Sequence, residues 1–155
     1  MTTELGKPIP DFQVESTNGP ITLSSLKGKT VVLYFYPKDN TPGCTTEGEN
    51  FRDLYPEFQQ HNCEVFGISR DSVKSHCQFK SKKEFPFELL ADSEEHLCQL
   101  FDVIKQKNMY GKQVRGIERS TFVINNKSEL IAQWRKVKIA NHAQEVLDFI
   151  KKNTT

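Results

Sequence analysis

The sequence predicts an α/β fold in which a central mixed sheet is flanked by helices and preceded by an N-terminal β-hairpin. Runs of β-branched and aromatic residues alternate with segments of helical periodicity, an order typical of a parallel sheet with right-handed crossovers. Two strand-like runs then follow each other directly near the C-terminus. These two runs predict an antiparallel edge of the sheet, with a final helix covering one face.

Each element has a local signal in the sequence. Apolar residues alternate on both sides of the turn Asn18-Gly19-Pro20, which predicts the hairpin. β-Branched or apolar runs predict strands over residues 30–36, 63–69, 87–91, 120–124 and 130–135. Apolar residues at helical spacing, or a capping residue, predict helices over about 45–60, 71–83, 97–104 and 143–150. Residues 108–116 are interpreted as a polar loop. This order of elements is that of a thioredoxin-like sandwich.

Length and composition exclude several classes of protein. The 155 residues suffice for a single domain, predicted over residues 1–155. Lys and Arg number 21 against 20 Asp and Glu, a net charge of +1, so there is no basic field for nucleic acid or anionic lipid. The longest apolar run, 31–36, is far shorter than the ~20 residues of a membrane span. Because the start has no apolar stretch typical of a signal peptide, we expect a soluble, cytoplasmic protein. We also expect it to be a monomer.

The four cysteines of the chain need an explanation: Cys44, Cys63, Cys77 and Cys98. Reduced thiols are expected in a chain without an export signal. No two of them have Cys-x-x-Cys spacing, so we predict no metal site. Cys63 opens a predicted buried strand, and we expect it to pack in the core.

Cys44 lies in a loop that leads from a predicted strand into a predicted helix. In an open α/β sheet, sites form beyond the carboxyl ends of the strands. The free amides and the positive dipole end of a helix start favour a thiolate over a thiol. The alternative interpretation is a small apolar residue in the core. Thr41 stands where a thiol–disulfide oxidoreductase has the first cysteine of its Cys-x-x-Cys motif, which excludes dithiol exchange at this turn.

The segment Pro37-Lys-Asp-Asn-Thr41-Pro-Gly-Cys44 resembles the Pro-x-x-x-Thr-x-x-Cys signature of the peroxiredoxins. More narrowly, the chain is similar to their bacterioferritin comigratory protein, or peroxiredoxin Q, branch. Further similar segments cover nearly the whole chain: Pro10-Asp-Phe12, Gly67-Ile-Ser-Arg-Asp-Ser72, Phe101-Asp-Val103, Lys107-Asn-Met-Tyr-Gly-Lys112 and Gly116-Ile-Glu-Arg119-Ser-Thr-Phe122. A single Thr-x-x-Cys motif is a weak signal, but so many similar positions in the right order are a specific one.

The resemblance implies a role for each matching residue. Cys44 would be the peroxidatic cysteine, which attacks a hydroperoxide and becomes a sulfenic acid. Arg119 would hold the thiolate and polarise the peroxide, Thr41 would hydrogen-bond both, and Pro37 would shield the pocket from water. Glu47 would orient Arg119, or would only complement the helix N-terminus. The resemblance also implies thioredoxin or a similar thiol as reductant and no cofactor, because sulfur itself donates the two electrons.

The chain departs from its family in the resolving cysteine, the second thiol that condenses with the sulfenic acid. Many members carry this thiol further along the peroxidatic helix, at the position of Glu49, and others at the position that corresponds to Lys80. Cys77 shares a helix face with Lys80 by its i, i+3 spacing and is the first candidate, although it could instead be a core residue. Cys98 is the second candidate, and an external thiol is the third possibility.

Two other functions remain open from the sequence. One is a thiol–disulfide oxidoreductase on the same fold, which the threonine at position 41 disfavours. The other is a redox sensor that uses Cys44 only as a switch, for which Arg119, Thr41 and Pro37 would be superfluous. A thiol-dependent peroxidase is therefore the predicted function.

Overall fold

The computed structural model describes residues 3–153. Its strands are β1 (Gln13–Ser16), β2 (Ile21–Thr22), β3 (Thr30–Phe35), β4 (Cys63–Ser69), β5 (Leu89–Ala91), β6 (Ile104–Met109), β7 (Lys112–Ile117), β8 (Ser120–Ile124) and β9 (Leu130–Trp134). Its α-helices are α1 (Pro42–Gln60), α2 (Val73–Lys83), α3 (His96–Leu100) and α4 (His142–Asn153). The prediction of one domain over residues 1–155 extends beyond the described residues and stays a prediction.

Seven strands form one sheet in the order β2-β1-β5-β4-β3-β8-β9. Strands β3, β4 and β5 are parallel neighbours, whereas β8 pairs antiparallel with β3 and β9 pairs antiparallel with β8. The β1–β2 hairpin extends the opposite edge by antiparallel pairing of β1 with β5. The predicted mixed sheet, its antiparallel edge and the N-terminal hairpin are thus confirmed.

Strand β3 is buried on both faces of the sheet and divides the apolar interior in two. Val32 and Tyr34, with Tyr36 just beyond the strand, face one core together with side chains of α1, α2 and α4. Leu33 and Phe35 face the second core, which includes residues of β1 and α3. Because successive side chains of a strand point to opposite faces, this one strand contributes side chains to both cores.

Two segments differ from the prediction. The helix predicted over 97–104 ends at Leu100, because Asp102 has a φ of +54° and Ile104 already begins β6. The segment 108–116, predicted to be a loop, is most of an antiparallel hairpin of β6 and β7 that turns at Tyr110 and Gly111, with φ of +53° and +78°. Most of β7 is exposed, so its side chains lack the apolar alternation by which a half-buried strand is predicted.

The remaining differences are small. Helix α1 begins at Pro42 rather than at residue 45, because proline suits the first helical position, where its missing N–H is not needed. Strand β5 begins at Leu89 rather than at residue 87. Within residues 3–153, no helix combines the length and the apolar character that a membrane crossing requires.

Candidate active site

Cys44 is the third residue of α1 and is 2% exposed. Its position follows from the local chain: Thr41 is the extended residue before the helix, and Pro42 starts the helix with its fixed φ. The carbonyl of Thr41 accepts a hydrogen bond from the Thr45 N–H at 2.9 Å. The thiol therefore lies within the first helical turn rather than at the end of the loop before it, and the helix amides there favour a negative charge.

Arg119 joins Cys44 to Glu47. It lies between β7 and β8, and its backbone is held by a hydrogen bond from the Val137 N–H to its carbonyl at 3.0 Å. Its Nη2 donates to Cys44 Sγ at 3.4 Å, and its Nη1 donates to Glu47 Oε1 at 2.6 Å. One planar guanidinium thus contacts the thiol and the carboxylate one turn further along α1.

The Glu47 carboxyl is 1% exposed. Burial raises its pKa to about 7, although the charge and hydrogen bond of Arg119 act in the opposite direction. Burial would lower the pKa of Arg119, but Glu47 and Cys44 outweigh it and raise that pKa. Glu47 Oε2 has no hydrogen-bond partner in the described part of the chain. Arg119 is therefore a permanent cation, and the Glu47 carboxyl beside it gains or loses its proton near pH 7.

The loop 37–41 carries the other two predicted site residues. Pro37 is half-buried at its start, and Asn40 turns the chain with a φ of +62°. The Thr41 hydroxyl donates to the carbonyl of Lys38 at 2.8 Å. The structure therefore brings Arg119 and Glu47 to Cys44, whereas the hydroxyl hydrogen of Thr41 points to its own loop.

Gly43 and Ile139 border this site, although no sequence pattern selects Ile139. A Cβ atom on Gly43 would lie 3.1 Å from Ile139 Cδ1 and 3.3 Å from Arg119 Nη2. A side chain at position 43 would therefore crowd the guanidinium that contacts the thiol. Ile139 lies in the irregular segment between β9 and α4, where no periodicity distinguishes it.

The other three cysteines are free thiols in different environments. Cys77 is exposed on α2, so its alternative interpretation as a core residue is wrong. Cys63 is buried in the same core as Cys44, and burial raises its pKa to about 12. Cys98 is fully buried in the second core, across the sheet from Cys44, and burial raises its pKa further. Only Cys77 combines accessibility with a place on the Cys44 side of the sheet.

One group of side chains within residues 3–153 is close enough to hold a metal ion: Asp39, Asp71 and His76 each offer a ligand atom within 4.8 Å of the others. These atoms already form hydrogen bonds. Asp71 Oδ2 accepts from the Asp39 N–H and the Ser69 hydroxyl, and Asp39 Oδ2 lies 2.8 Å from His76 Nδ1. The arrangement is a closed polar cluster rather than an open coordination site.

Comparisons with known proteins show the family of the chain. The AhpC/TSA family model matches residues 5–133. Peroxiredoxin Bcp of Xanthomonas campestris pv. campestris is 55% identical over 130 residues, 84% of this chain and 81% of that protein. Peroxiredoxin Bcp of Bacillus subtilis is 47% identical over 152 residues, 97% of each chain.

Solved structures match nearly the whole chain. A structure of Xanthomonas campestris peroxiredoxin Q has a TM-score of 0.91 at 49% identity, covering 99% of this chain and 98% of that chain. A structure of the bacterioferritin comigratory protein of the same organism has the same TM-score, identity and coverage of both chains, and comes from work on the alkyl peroxide reduction activity of that protein. The chain therefore belongs to the AhpC/TSA family and, within it, to the bacterioferritin comigratory protein or peroxiredoxin Q branch of the peroxiredoxins, which are thiol-dependent peroxidases.

Proposed function

We propose that Cys44 of this peroxidase reduces hydrogen peroxide and organic hydroperoxides, with Arg119, Thr41 and Pro37 completing the site. The observation that carries the proposal is the contact of Arg119 Nη2 with Cys44 Sγ at 3.4 Å, in a guanidinium held from its other nitrogen by Glu47. The alkyl peroxide reduction activity of the Xanthomonas campestris relative supports the same substrate class.

The chemical step needs only the residues of the site. The Cys44 thiolate attacks the terminal oxygen of the hydroperoxide, so that an S–O bond forms and the O–O bond breaks. Sulfur is oxidised to the sulfenic acid. The leaving oxygen takes a proton from solvent, which balances the proton released when the Cys44 thiol ionised, and departs as water or an alcohol. Arg119 stabilises the thiolate before the step and the negative charge that develops on the oxygens during it.

Thr41 has a more restricted role than the resemblance implies. A hydroxyl has one hydrogen to donate and two lone pairs that accept. Because the hydrogen of Thr41 goes to the Lys38 carbonyl, the hydroxyl oxygen is left to accept a hydrogen bond. It would accept from the O–H of a bound hydroperoxide and would orient that end of the substrate. Pro37, half-buried at the start of the loop, would shield the pocket from water.

Cys77 is the proposed resolving cysteine. Its thiol would attack the Cys44 sulfenic acid, forming an S–S bond and releasing water. A disulfide needs Cα atoms within roughly 7 Å, yet Cys44 is buried and Cys77 faces solvent. The first turn of α1 and part of α2 would therefore unwind before the bond forms, as helix ends can. Burial of Cys98 in the second core disfavours the alternative candidate.

A dithiol reductant such as thioredoxin would then reduce the disulfide and restore both thiols. Such a reductant requires a compartment that keeps thiols reduced, so we place the protein in the cytoplasm, where it would act in antioxidant defence. We also propose that it works as a monomer, and sedimentation of the reduced and oxidised protein tests this.

The proposal is tested by peroxide consumption with thioredoxin recycling. Cys44→Ser is expected to abolish turnover, because the nucleophile is lost. Cys77→Ser is expected to reduce one equivalent of peroxide and then stall. Cys63→Ser is the matched control, since Cys63 is a buried thiol on the same side of the sheet. Near-normal turnover in Cys44→Ser would contradict the assignment of the nucleophile.

Mass spectrometry of the oxidised protein identifies the resolving thiol directly. After one equivalent of peroxide, we expect a peptide pair linked through Cys44 and Cys77. A link to Cys98, with normal turnover in Cys77→Ser, would show that Cys98 resolves. Turnover that depends on neither thiol would show that an external thiol does.

A further inference from the structure

A buried polar cluster joins the loop before Cys44 to the helix that carries Cys77. Its centre is the Asp39 carboxyl, which is 5% exposed. Oδ1 accepts from the Tyr36 hydroxyl at 2.6 Å, and Oδ2 accepts from the Ser75 hydroxyl at 2.7 Å. His76 Nδ1 lies 2.8 Å from the same Oδ2. We refer to the side chains of Asp39 and His76 as the Asp39–His76 latch.

The two ring nitrogens of His76 define where its protons are. The ring is fully buried, and Nε2 lies 2.9 Å from the carbonyl oxygen of Leu90. A carbonyl oxygen only accepts, so Nε2 carries a hydrogen. Two lone pairs cannot face each other at 2.8 Å, so a second proton lies between Nδ1 and Asp39 Oδ2. The latch is thus a charge-assisted hydrogen bond in a dry site.

The charge of Asp39 is consistent with this assignment. Burial alone would raise the pKa of the Asp39 carboxyl, but the hydrogen bond and the charge of His76 outweigh burial and lower it. The Tyr36 and Ser75 hydroxyls act in the same direction. The Asp39 carboxylate is therefore ionised. Three donors contact it: the hydroxyl of Tyr36, just beyond β3, and the hydroxyl of Ser75 and the ring of His76 on α2.

The latch connects the two segments that carry the proposed reacting thiols. Asp39 lies in the middle of the loop 37–41, and its N–H donates to Asp71 Oδ2 at 2.9 Å, just before α2. His76 is the chain neighbour of Cys77 on α2 and binds β5 through Leu90. The loop that positions Cys44 is thus fastened to the buried face of the helix whose exposed face carries Cys77.

We propose that the Asp39–His76 latch holds the loop 37–41 in the arrangement that reacts with peroxide, and that its opening limits formation of the disulfide from the sulfenic acid. Asp39 and His76 are positioning residues, because neither is in contact with Cys44. The second half of the proposal rests on the proposed role of Cys77. While the latch is closed, the buried face of α2 is fixed against the loop, so the exposed thiol of Cys77 cannot turn towards Cys44.

The consequence is a pair of opposite effects on two rates. A weaker latch leaves the loop less ordered, which slows sulfenic acid formation. The same change lets α2 move more readily, which speeds disulfide formation. A variant that merely damages the fold would slow sulfenic acid formation without speeding disulfide formation.

The test uses His76→Gln in the otherwise unchanged chain. Glutamine can still donate to the Leu90 carbonyl from its terminal amide, but it carries no charge for Asp39. Reduced protein is mixed with one equivalent of hydrogen peroxide and quenched over time. Trapped sulfenic acid and disulfide are then measured by mass spectrometry. We expect disulfide formation about tenfold faster and sulfenic acid formation several-fold slower, as for loss of a charge-assisted hydrogen bond. Lys74→Gln, an exposed change on the same helix, is the matched control and should alter neither rate.

Hydrogen exchange separates this proposal from the role of Cys77. In the reduced protein, amides of residues 38–46 and 73–79 should exchange faster in His76→Gln than in Lys74→Gln, whichever thiol resolves. If that acceleration occurs but no Cys44–Cys77 disulfide forms in the unchanged chain, the positioning role holds and the resolving assignment fails. Unchanged exchange in both segments, or two rates that fall together, would overturn the latch. If His76→Gln does not fold, Ser75→Ala removes one donor to Asp39, and unchanged rates in that variant would overturn the latch equally.

Discussion

Glu47 makes the stability of the reduced protein depend on pH, and Glu47→Gln should remove that dependence. The folded state raises the pKa of this carboxyl from 4.5 to about 7 by burial. Between these two values the folded chain holds a proton that the unfolded chain has released. The stability that Glu47 contributes is therefore fully present below pH 4.5 and is lost as the pH rises through 7.

The magnitude follows from the size of the shift. A shift from 4.5 to about 7, at about 1.4 kcal/mol for each pH unit, corresponds to about 3 kcal/mol between pH 4.5 and pH 8. Glutamine has nearly the same shape but no charge to bury, so it does not incur this loss. Relative to the unchanged chain, Glu47→Gln should therefore gain about 3 kcal/mol in free energy of unfolding across that interval.

Urea unfolding of the reduced proteins at pH 4.5, 6 and 8 measures this gain. Groups that titrate in both chains cancel in the difference between them. Glu49→Gln is the matched control, because Glu49 is on the same helix with its side chain 38% exposed, and it should follow the pH dependence of the unchanged chain. If Glu47→Gln and the unchanged chain show the same pH dependence, the raised pKa of Glu47 is refuted.

Two further changes test the site and the packing beneath it. Arg119→Ala should lower kcat/KM for peroxide by at least about 10²-fold, because the cation beside Cys44 is lost. Arg119→Lys should restore only part of the lost kcat/KM, since an ammonium lacks the planar fork of a guanidinium. Full activity in either variant would contradict the role of the guanidinium. Gly48→Ala should destabilise the fold by about 1–3 kcal/mol, because its Cβ would clash with the Phe85 ring. Thermal unfolding measures this against Glu49→Ala, and equal melting temperatures would show that Phe85 moves aside freely.

The parts of the fold that the sequence predicts correctly are those with a burial pattern. Strand β3 is apolar throughout because both of its faces are buried, and α1 has its apolar residues at helical spacing because one face packs on the sheet. The hairpin of β6 and β7 has no such pattern, since little of it reaches the core. The sequence signal that indicates this hairpin is its turn, where Tyr110 and Gly111 adopt positive φ.

For the site, the resemblance identified Cys44, Arg119 and Glu47, which the fold brings together from segments far apart in the chain. Sequence reasoning alone had no means to find the Asp39–His76 latch. A buried carboxylate and a buried imidazole have the same letters as exposed ones, and only tertiary packing shows that Asp39 and His76 lie within 2.8 Å of each other.

The distribution of the four thiols has a consequence for how oxidative damage would accumulate. Cys63 and Cys98 are enclosed in apolar packing and held as neutral thiols, so excess peroxide meets little reactive sulfur there. Irreversible oxidation is then directed to Cys44, at the edge of the first core, and to the exposed Cys77, whereas the second core around Cys98 keeps its packing. Damage from excess peroxide would thus reach the fold through the Cys44 site and the core beside it, and not through Cys98 on the far side of the sheet.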